Sequence, residues 1–337
     1  MKQLVITRYG PPEVLAVRDA PDPAVAPNTV RIRVKAAGIN FSDLLARQGL
    51  YPDAPKPPCV IGYEIAGTID AVGDGVTTHR VGDRVVAMTR FGGQSELVVV
   101  PKASAMPLPA GWGFEEGAAF PVVYITAHHM LVRIAAAQRG ESVLVHAAAG
   151  GVGLAVAELG RVLGLRVIGL ASASKHDVLR GYGVESVDGR DPKWPDAVRA
   201  LAPKGVDIVL DPVGGESWRE GYRLLAPCGR LICYGVSDLS VGLRRNPMQV
   251  LWKALRWPRF GPLSLMDKNR AVAGVNIGHL WKSDQILAPQ VQALLAYAKD
   301  GKLRPRIDRS FPLAEAAAAH HHIHERRNIG KVVLTIA

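Results

Sequence analysis

The residues with the most specific chemistry lie in the stretch 142–157, where a short apolar run precedes a loop of small residues. The run 143–145 has the character of a buried strand, and the loop Ala148–Gly153 has the spacing G-x-G-x-x-G with alanine at the first position. In such a loop Gly150 lets the backbone approach a pyrophosphate, and Gly153 lets the following helix pack close to the sheet. The free N–H groups at the helix N-terminus then attract negative charge.

Because a strand precedes this loop and a helix follows it, the pattern predicts a dinucleotide site rather than a structural glycine turn, which is the alternative. The residues predicted to contact the cofactor here are Ala149, Gly150, Gly151, Val152 and Gly153.

The residues after the next apolar run, 166–172, indicate which dinucleotide binds. NAD enzymes usually carry Asp or Glu about 20 residues after the glycine loop, where it holds the ribose 2′-OH. This run instead ends in Ser172, followed by Ser174 and Lys175, without a carboxylate. An ammonium group and hydroxyl donors suit a 2′-phosphate. The sequence therefore predicts NADP(H); the alternative is that Lys175 only begins a solvated helix face.

Two further loops follow strand-like runs. The segment 211–215 comes directly after the run 206–210, and Gly235 and Val236 come at the end of the run 231–235. In a doubly wound sheet the carboxyl ends of the strands face the cofactor. We therefore expect Asp211, Val213, Gly235 and Val236 at the cofactor site.

A histidine cluster, 320–324, suggests a metal site, because His320 and His324 would share one face of a helix. The surrounding sequence is rich in alanine, and no acidic residue beyond Glu325 stands at a fixed spacing. We therefore favour incidental, solvated histidines. The three cysteines have neither a zinc spacing nor a disulfide framework and suit a reducing cytosol.

Length and composition set the broad class. The 337 residues suffice for two domains, and 48% hydrophobic with 21% charged residues is ordinary for a soluble globular protein. The net charge of +11 favours anionic ligands, and no motif supports nucleic acid. The N-terminal residues lack the apolar core of a secretion signal, and no apolar run approaches a membrane span. We expect a cytoplasmic protein.

The elements that must position these residues change character near Glu115. Before it, short strands at 4–6, 15–17 and 30–34, with many Gly and Pro residues, predict a small, strongly bent β-barrel. After it, helices alternate with strands, which predicts a parallel sheet. The elements predicted there are a helix at 122–135 and strands at 143–145, 166–170, 206–210 and 231–235.

Beyond the parallel sheet, residues 238–268 mix basic and aromatic side chains, and we favour a subunit contact or lid there over a nucleic-acid patch. A strand at 271–280, an amphipathic helix at 285–299 and a last strand at 331–336 follow. We expect the last strand to return to the first domain.

With these motifs in place, the chain resembles the medium-chain dehydrogenase/reductase family, in its zinc-free quinone oxidoreductase branch. Within that branch it is similar to the vesicle amine transport protein group. The resemblance covers essentially the whole chain. It rests on Gly38–Asp43 with Arg47 and Tyr51, Pro58–Gly67, Val81–Val85, His146–Gly153, Ala171–His176, Pro203–Gly215, Gly221–Leu225 and Gly330–Lys331.

The resemblance implies an α/β fold, with a Rossmann doubly wound parallel sheet and a GroES-like β-barrel catalytic domain. It implies the GroES-like domain at residues 1–120, completed by 266–337, and the Rossmann NADP(H)-binding domain at 121–265. The active site would lie in the cleft between them. It also implies a homodimer, formed through a strand at 271–278.

The resemblance further implies roles for single residues. Asn40 and Thr126 would hold the nicotinamide or the substrate oxygen. Tyr51 would lie over the substrate and donate a proton or hydrogen bond, or else only pack beside Pro52. The catalytic residues implied are Asn40, Tyr51 and Asp43. The other cofactor-binding residues implied are Val275, Asn276, Asn328 and Lys331, the last of which is otherwise a solvated strand-end charge.

Zinc-dependent relatives carry a cysteine near the position of Asn40, a His-Glu pair in place of Tyr63-Glu64, and a four-cysteine lobe. This sequence has no thiolate or imidazole at those positions. A tetrahedral zinc site needs such ligands, so we expect a metal-free protein.

The implied reaction is hydride transfer from NADPH to a quinone or to the activated C=C of an enone or enal. Two alternatives stay open. One is an enoyl-thioester reductase, and the other is an NADPH-binding regulatory protein with little turnover, whose contact surface lies at 242–262. The partners expected are a small-molecule electrophile and a second copy of the chain, with no nucleic acid and no membrane span.

Overall fold

A computed structural model describes residues 1–240, 242–243, 246–281 and 283–337, without the side chain of residue 284. The predicted contact segment 242–262 therefore includes two residues, 244 and 245, outside the described residues. The strands are β1 (Lys2–Ile6), β2 (Leu15–Asp19), β3 (Thr29–Ile39), β4 (Cys59–Val60), β5 (Glu64–Val72), β6 (Arg84–Met88), β7 (Leu97–Pro101), β8 (Ala105–Pro107), β9 (Ser142–His146), β10 (Arg166–Ala171), β11 (Glu185–Asp188), β12 (Val206–Asp211), β13 (Leu225–Cys233), β14 (Ala271–Gly274), β15 (Ile307–Pro312) and β16 (Lys331–Thr335).

The α-helices of the described residues run in the same order along the chain. They are α1 (Phe41–Gln48), α2 (Phe114–Ala118), α3 (Pro121–His128), α4 (Gly151–Leu163), α5 (His176–Gly181), α6 (Trp194–Leu201), α7 (Glu216–Arg223), α8 (Pro247–Leu255), α9 (Pro262–Lys268), α10 (Asp284–Lys299) and α11 (Ala316–His324).

The chain divides into two compact units. The first unit comprises Met1–Val122, Ser240–Arg245 and Arg304–Ala337, and the second comprises Val123–Leu239 and Asn246–Leu303. We expected residues 266–303 in the first domain, but they lie in the second unit. The reason is that β14 pairs with β13 in parallel register, from Arg230 beside Ala271 to Cys233 beside Gly274.

The first unit is built from antiparallel sheets. One sheet has the order β15-β16-β3-β5-β6-β8, with β7 also on β3, and a smaller one has the order β2-β1-β4. The predicted strands 4–6, 15–17 and 30–34 lie in β1, β2 and β3. Inward residues of β3, such as Val30, Ile32 and Val34, are fully buried in the core. The last strand, β16, pairs with β3, so the end of the described chain returns to this unit as expected.

The second unit contains a six-stranded parallel sheet in the order β11-β10-β9-β12-β13-β14. Its central strands are apolar runs buried on both faces, as parallel strands covered by helices must be. The four predicted strands lie in β9, β10, β12 and β13, and the predicted α/β fold class is confirmed.

Two elements of the second unit differ from the prediction. The helix expected at 122–135 is α-helical only over α3 and continues as a π-helix over His129–Ile134. The strand expected at 271–280 ends at Gly274, because the Asn276 side chain accepts the Gly278 N–H (3.0 Å) and begins a short 3-10 helix.

The histidine cluster of α11 is not the solvated group that the sequence predicted. Ala316 and Ala319 pack into the core of the first unit, and this packing buries the neighbouring His320 completely. Burial lowers the pKa of His320 to about 3, so its imidazole is neutral at pH 7. His321 and His322 lie 2.6 Å from the carboxylates of Glu13 and Asp308.

None of the described helices combines the length and the apolar character that crossing a membrane requires.

Candidate functional site

The predicted cofactor residues of the second unit follow strands whose carboxyl ends lie side by side. Parallel register places Leu170 of β10 beside His146 of β9, and Asp211 of β12 beside Cys233 of β13. The strand β12 in turn pairs with β9, and β14 pairs with β13. The predicted residues that share this carboxyl edge are Ala149, Gly150, Gly151, Val152, Gly153, Ser172, Ser174, Lys175, Asp211, Val213, Gly235, Val236, Val275 and Asn276.

The glycine loop makes a tight turn between β9 and α4. The Gly150 N–H donates to the Ala147 carbonyl (2.9 Å), and the Ala148 N–H donates to the Leu170 carbonyl of β10 (3.0 Å). A Cβ at Gly153 would lie 2.3 Å from the Ala148 carbonyl oxygen, so no side chain fits where the helix meets the turn. The close-packing role expected of the third glycine is thus visible in the turn itself.

The first turn of α4 offers open backbone donors. Its first internal hydrogen bond runs from the Leu154 N–H to the Gly150 carbonyl (2.9 Å). The N–H groups of Gly151, Val152 and Gly153 therefore have no acceptor within the helix. Together with the positive end of a 13-residue helix, they form a site suited to a phosphate group.

The segment after β10 carries the side chains expected at a 2′-phosphate. Lys175 ends a short 3-10 turn, Ala173–Lys175, and is half-buried, and the Ser172 and Ser174 hydroxyls lie 3.4 Å apart. The nearest carboxylate by register is that of Asp188, which ends β11 beside Ala171. The Asp188 Oδ1 accepts the Arg190 N–H (3.0 Å), and this bond holds the carboxylate in the turn after β11.

Asp211 shapes the loop after β12. Its Oδ1 accepts the N–H groups of Val213 (2.6 Å) and Gly214 (3.3 Å), and its side chain is fully buried. The structure thus gives Asp211 the role of fixing the loop backbone, and the neighbouring Val213 is half-buried.

His146, which the sequence motifs did not indicate as a site residue, lies beside Asp211. The His146 Nε2 is 3.6 Å from the Asp211 Oδ2, and neither atom has a hydrogen-bond partner among the described residues. Burial lowers the pKa of His146, and the ring of Trp194 packs edge-on against it at 5.2 Å. The sequence does place this ionisable residue at the end of an apolar strand, directly before the glycine loop.

Three predicted residues of the first unit, Asn40, Asp43 and Lys331, meet Glu64 in a polar cluster at the end of β3. The Lys331 Nζ donates to the Ile39 carbonyl (2.8 Å), to the Asn40 Oδ1 (2.9 Å) and to the Glu64 Oε1 (2.6 Å). Glu64 also accepts the Asn40 Nδ2–H (2.9 Å) through Oε1 and the Val122 N–H (2.7 Å) through Oε2. Lys331 is 4% exposed and Glu64 is fully buried, so this is an internal ion pair.

This geometry changes the role expected of Lys331. An ammonium group has three donors, and all three are used inside the first unit, so none is left for a cofactor. The alternative of a solvated strand-end charge is also excluded by its burial. The nearby Asn328 donates from Nδ2 to the Gly330 carbonyl (2.9 Å).

Asp43 contacts the backbone of Asn40. It is fully buried, and its Oδ2 accepts the Asn40 N–H (2.7 Å) at the start of α1. Its Oδ1 has no hydrogen-bond partner among the described residues. Burial raises the pKa of Asp43 to about 7, and the negative charge of Glu64 adds to this shift. Asp43 is thus an acid that titrates near neutrality.

Tyr51 and Thr126 are both half-buried. Tyr51 packs edge-on against Tyr63, with ring centroids 6.2 Å apart. Thr126 lies in the last turns of α3.

The residues at the zinc-ligand positions of zinc-dependent dehydrogenases do not fit a tetrahedral zinc ion. The Glu64 carboxylate is already engaged by an ammonium group, a carboxamide and a backbone N–H. Asn40 and Tyr63 supply neither thiolate nor imidazole. Within residues 1–240, 242–243, 246–281 and 283–337 no group of three or more His, Cys, Asp or Glu side chains is arranged to hold a metal ion.

Comparison with known families gives two matches. Residues 26–110 match the alcohol dehydrogenase GroES-like domain, and residues 183–334 match the zinc-binding dehydrogenase family. A synaptic vesicle membrane protein VAT-1 homolog from Danio rerio is 41% identical over 337 residues, which is 99% of this chain and 70% of that protein.

Solved structures of similar proteins agree over the whole chain. A quinone oxidoreductase from Pseudomonas syringae is 30% identical with a TM-score of 0.86, covering 99% of each chain. A mycobacterial protein solved in complex with NADPH is 29% identical with a TM-score of 0.87, covering 100% of both chains. The CurK enoyl reductase is 27% identical with a TM-score of 0.85, covering 100% of this chain and 99% of the other.

Proposed function

Because this chain belongs to the medium-chain dehydrogenase/reductase family, in the group of the VAT-1 homologues, we propose that it is an NADPH-dependent reductase. The acceptor is a quinone or the activated C=C of an enone or enal. The family relationship establishes an oxidoreductase; the nucleotide and the acceptor are the proposed part.

The observation that carries the proposal is the carboxyl edge of the parallel sheet. Open N–H groups at the start of α4 suit a pyrophosphate, and Lys175 with Ser172 lies at the end of the adjacent strand, where a 2′-phosphate would bind. The similar mycobacterial protein that binds NADPH supports the same choice of nucleotide.

The chemistry needs little from the protein besides positioning and polarisation. When bound, NADPH would supply the hydride for reduction of the acceptor, and one proton would be needed besides. Asn40 retains one Nδ2–H beyond its bond to Glu64, which suits it to donate to the carbonyl oxygen of the acceptor. The Tyr51 hydroxyl is the proton donor that we propose. Asp43 accepts the Asn40 N–H, and its protonated form adds no charge beside Asn40.

We propose that the reaction proceeds without a metal ion. The Lys331 ammonium group already binds the Glu64 carboxylate, which stands at the position of the glutamate that zinc-dependent relatives carry. Polarisation of the acceptor then depends on hydrogen bonding rather than on a Lewis acid.

A second acceptor class is an α,β-unsaturated thioester. The similarity to the CurK enoyl reductase favours it. A polyketide synthase from Streptomyces halstedii is also 36% identical over 309 residues, which make up 5% of that protein. The hydride chemistry is the same, and only the acceptor differs.

The partner that we propose is a second copy of the chain. Helices α8 and α9 expose six large apolar side chains in the second unit: Met248 (83%), Leu251 (62%), Trp252 (55%), Leu255 (68%), Leu263 (81%) and Met266 (71%). The next strand, β14, is the last of its sheet. Large apolar side chains exposed on two successive helices, followed by a strand at the end of its sheet, favour a protein contact.

The decisive experiment is NADPH oxidation at 340 nm with four acceptors: a benzoquinone, 9,10-phenanthrenequinone, a short enal and crotonyl-CoA. NADH runs beside NADPH with each acceptor. Turnover with a quinone or the enal, faster with NADPH, is the expected result, and turnover with crotonyl-CoA alone would select the thioester class. Tight NADPH binding without turnover on any acceptor would contradict the reductase and favour a regulatory, partner-binding protein.

A further inference from the structure

The buried ion pair at the end of β3 has no evident task in a purely structural account. Burial of a lysine and a glutamate costs desolvation energy that their attraction returns only with good geometry. Apolar residues of similar size would fill the same space at less cost. Yet Lys331 and Glu64 are both buried, and their polar atoms are fully engaged.

We propose that Lys331 and Glu64 are positioning residues, which lock the carboxamide of Asn40 in one orientation so that its remaining Nδ2–H is presented to the acceptor oxygen. This inference rests on the proposed reductase function. It assigns to Lys331 a role in orienting Asn40, in place of the cofactor contact that the family resemblance implied.

The lock follows from which atoms can donate. An ammonium group only donates and a carboxylate only accepts. The Asn40 Oδ1 therefore must face Lys331, at 2.9 Å, and its Nδ2 must face Glu64, at 2.9 Å. A flipped carboxamide would set an NH₂ group against the ammonium and an oxygen against the carboxylate. Only one orientation is compatible with both neighbours.

Lys331 and Glu64 are each also fixed by a hydrogen bond to the backbone of another element. Lys331, the first residue of β16, also donates to the Ile39 carbonyl at the end of β3, and Glu64, the first residue of β5, accepts the Val122 N–H. Gly38 leaves the room for this arrangement, because a Cβ there would lie 2.6 Å from the Glu64 Oε1.

The pair also sets the charge around Asn40. Lys331 and Glu64 together are neutral, and among the described residues Asp43 also contacts Asn40 by accepting its N–H. Without Lys331, the carboxamide would lie beside the Glu64 carboxylate with no positive charge to compensate it. A negative environment opposes charge that develops on an acceptor oxygen.

The test compares Lys331→Met with Lys302→Met, a matched change at an exposed ion pair with Asp300. Each substitution is made in the wild-type chain and in Asn40→Ala. If Lys331→Met does not fold, Lys331→Met/Glu64→Gln replaces it, since this variant leaves no unpaired buried charge. The readouts are kcat and KM for the acceptor, the dissociation constant of NADPH and the melting temperature.

The expected result is a loss in kcat of about 10-fold or more for Lys331→Met, with NADPH affinity changed by less than about 2-fold. In the Asn40→Ala background the same substitution lowers kcat by less than about 2-fold, because the residue through which it acts is gone. Equal losses in both backgrounds would overturn the proposal, and so would unchanged kcat. Lys302→Met should leave kcat unchanged.

A second readout does not depend on turnover. The chain has six asparagines, so ¹⁵N-asparagine labelling gives few side-chain signals, and the Asn40 pair is assigned by its loss in Asn40→Ala. Slow hydrogen exchange of this pair is expected in the wild-type chain, with fast exchange in Lys331→Met. Identical exchange in both chains would refute the lock. Slow exchange without turnover on any acceptor would instead reject the reductase function while keeping the lock.

Discussion

At the scale of single residues, the proposed preference for NADPH depends on one ammonium group. Lys175 stands with Ser172 and Ser174 at the end of β10, while the Asp188 carboxylate of the neighbouring strand is held by the Arg190 N–H. Hydrogen bonds to charged groups contribute about 1.5–3 kcal/mol each. One such bond to a 2′-phosphate therefore suffices to separate NADPH from NADH by about ten-fold or more.

We expect Lys175→Ala to weaken NADPH binding about 10- to 100-fold while it changes NADH binding less than about 2-fold, because NADH has no 2′-phosphate. Titration of intrinsic fluorescence with both nucleotides measures the two dissociation constants. Lys204→Ala, at an exposed lysine in the turn before β12, is the matched control and should change neither. Equal losses for both nucleotides would contradict the role given to Lys175.

At the scale of elements, the proposed nucleotide site is built on the turn between β9 and α4. A Cβ on Gly153 would lie 2.3 Å from the Ala148 carbonyl oxygen. A Cβ on Gly150 would have the Ala147 carbonyl oxygen as its nearest atom, at 3.2 Å. The two glycines of one motif are thus constrained differently. Gly153 is required by packing within the turn, whereas a Cβ on Gly150 would meet only one close contact.

We expect Gly153→Ala to lower the melting temperature by about 5 °C or more and to abolish nucleotide binding, because overpacking against backbone costs about 1–3 kcal/mol and displaces the start of α4. Gly150→Ala makes the same chemical change where 3.2 Å is available. It should lower the melting temperature by less than about 2 °C, which thermal denaturation followed by circular dichroism measures. Similar destabilisation by both variants would mean that the packing argument is wrong.

At the scale of the whole molecule, the exposed face of α8 and α9 bears on assembly. Six large apolar side chains lie on two short helices that precede the edge strand β14. Such a concentration is unusual on the surface of a monomer. A second copy related by two-fold symmetry would cover the same face on both chains.

The wild-type protein should therefore run in light scattering at about twice its 36.1 kDa mass. Leu251→Glu/Leu255→Glu should convert it to the monomer, because two buried, unpaired charges oppose the contact. Val81→Glu is the matched control, since Val81 has the same exposure as Leu251, 62%, and lies in the first unit. A monomeric wild-type chain, or a dimer that survives the double substitution, would contradict this assignment.

Local patterns in the sequence determined most of the second unit. Apolar runs of four to six residues predict buried strands, and the strand–loop–helix order around Ala148–Gly153 predicts the nucleotide turn, because both depend on neighbours in the chain. The carboxyl edge follows from the parallel sheet alone. These features needed no knowledge of long-range contacts. The end of β14 was also set locally, because the Asn276 side chain accepts the Gly278 N–H, but the apolar pattern did not reveal it.

The tertiary structure alone decided the burial and partners of the ionisable residues. The order of residues predicts neither that Lys331 meets Glu64, 267 positions away, nor that the Asn40 carboxamide lies between them. The same holds for His320, which the alanine-rich sequence suggested was solvated and which packing on the core made neutral. Hydrogen bonds and pKa values of buried groups depend on which distant elements exclude water from them, and that is settled only when the chain has folded.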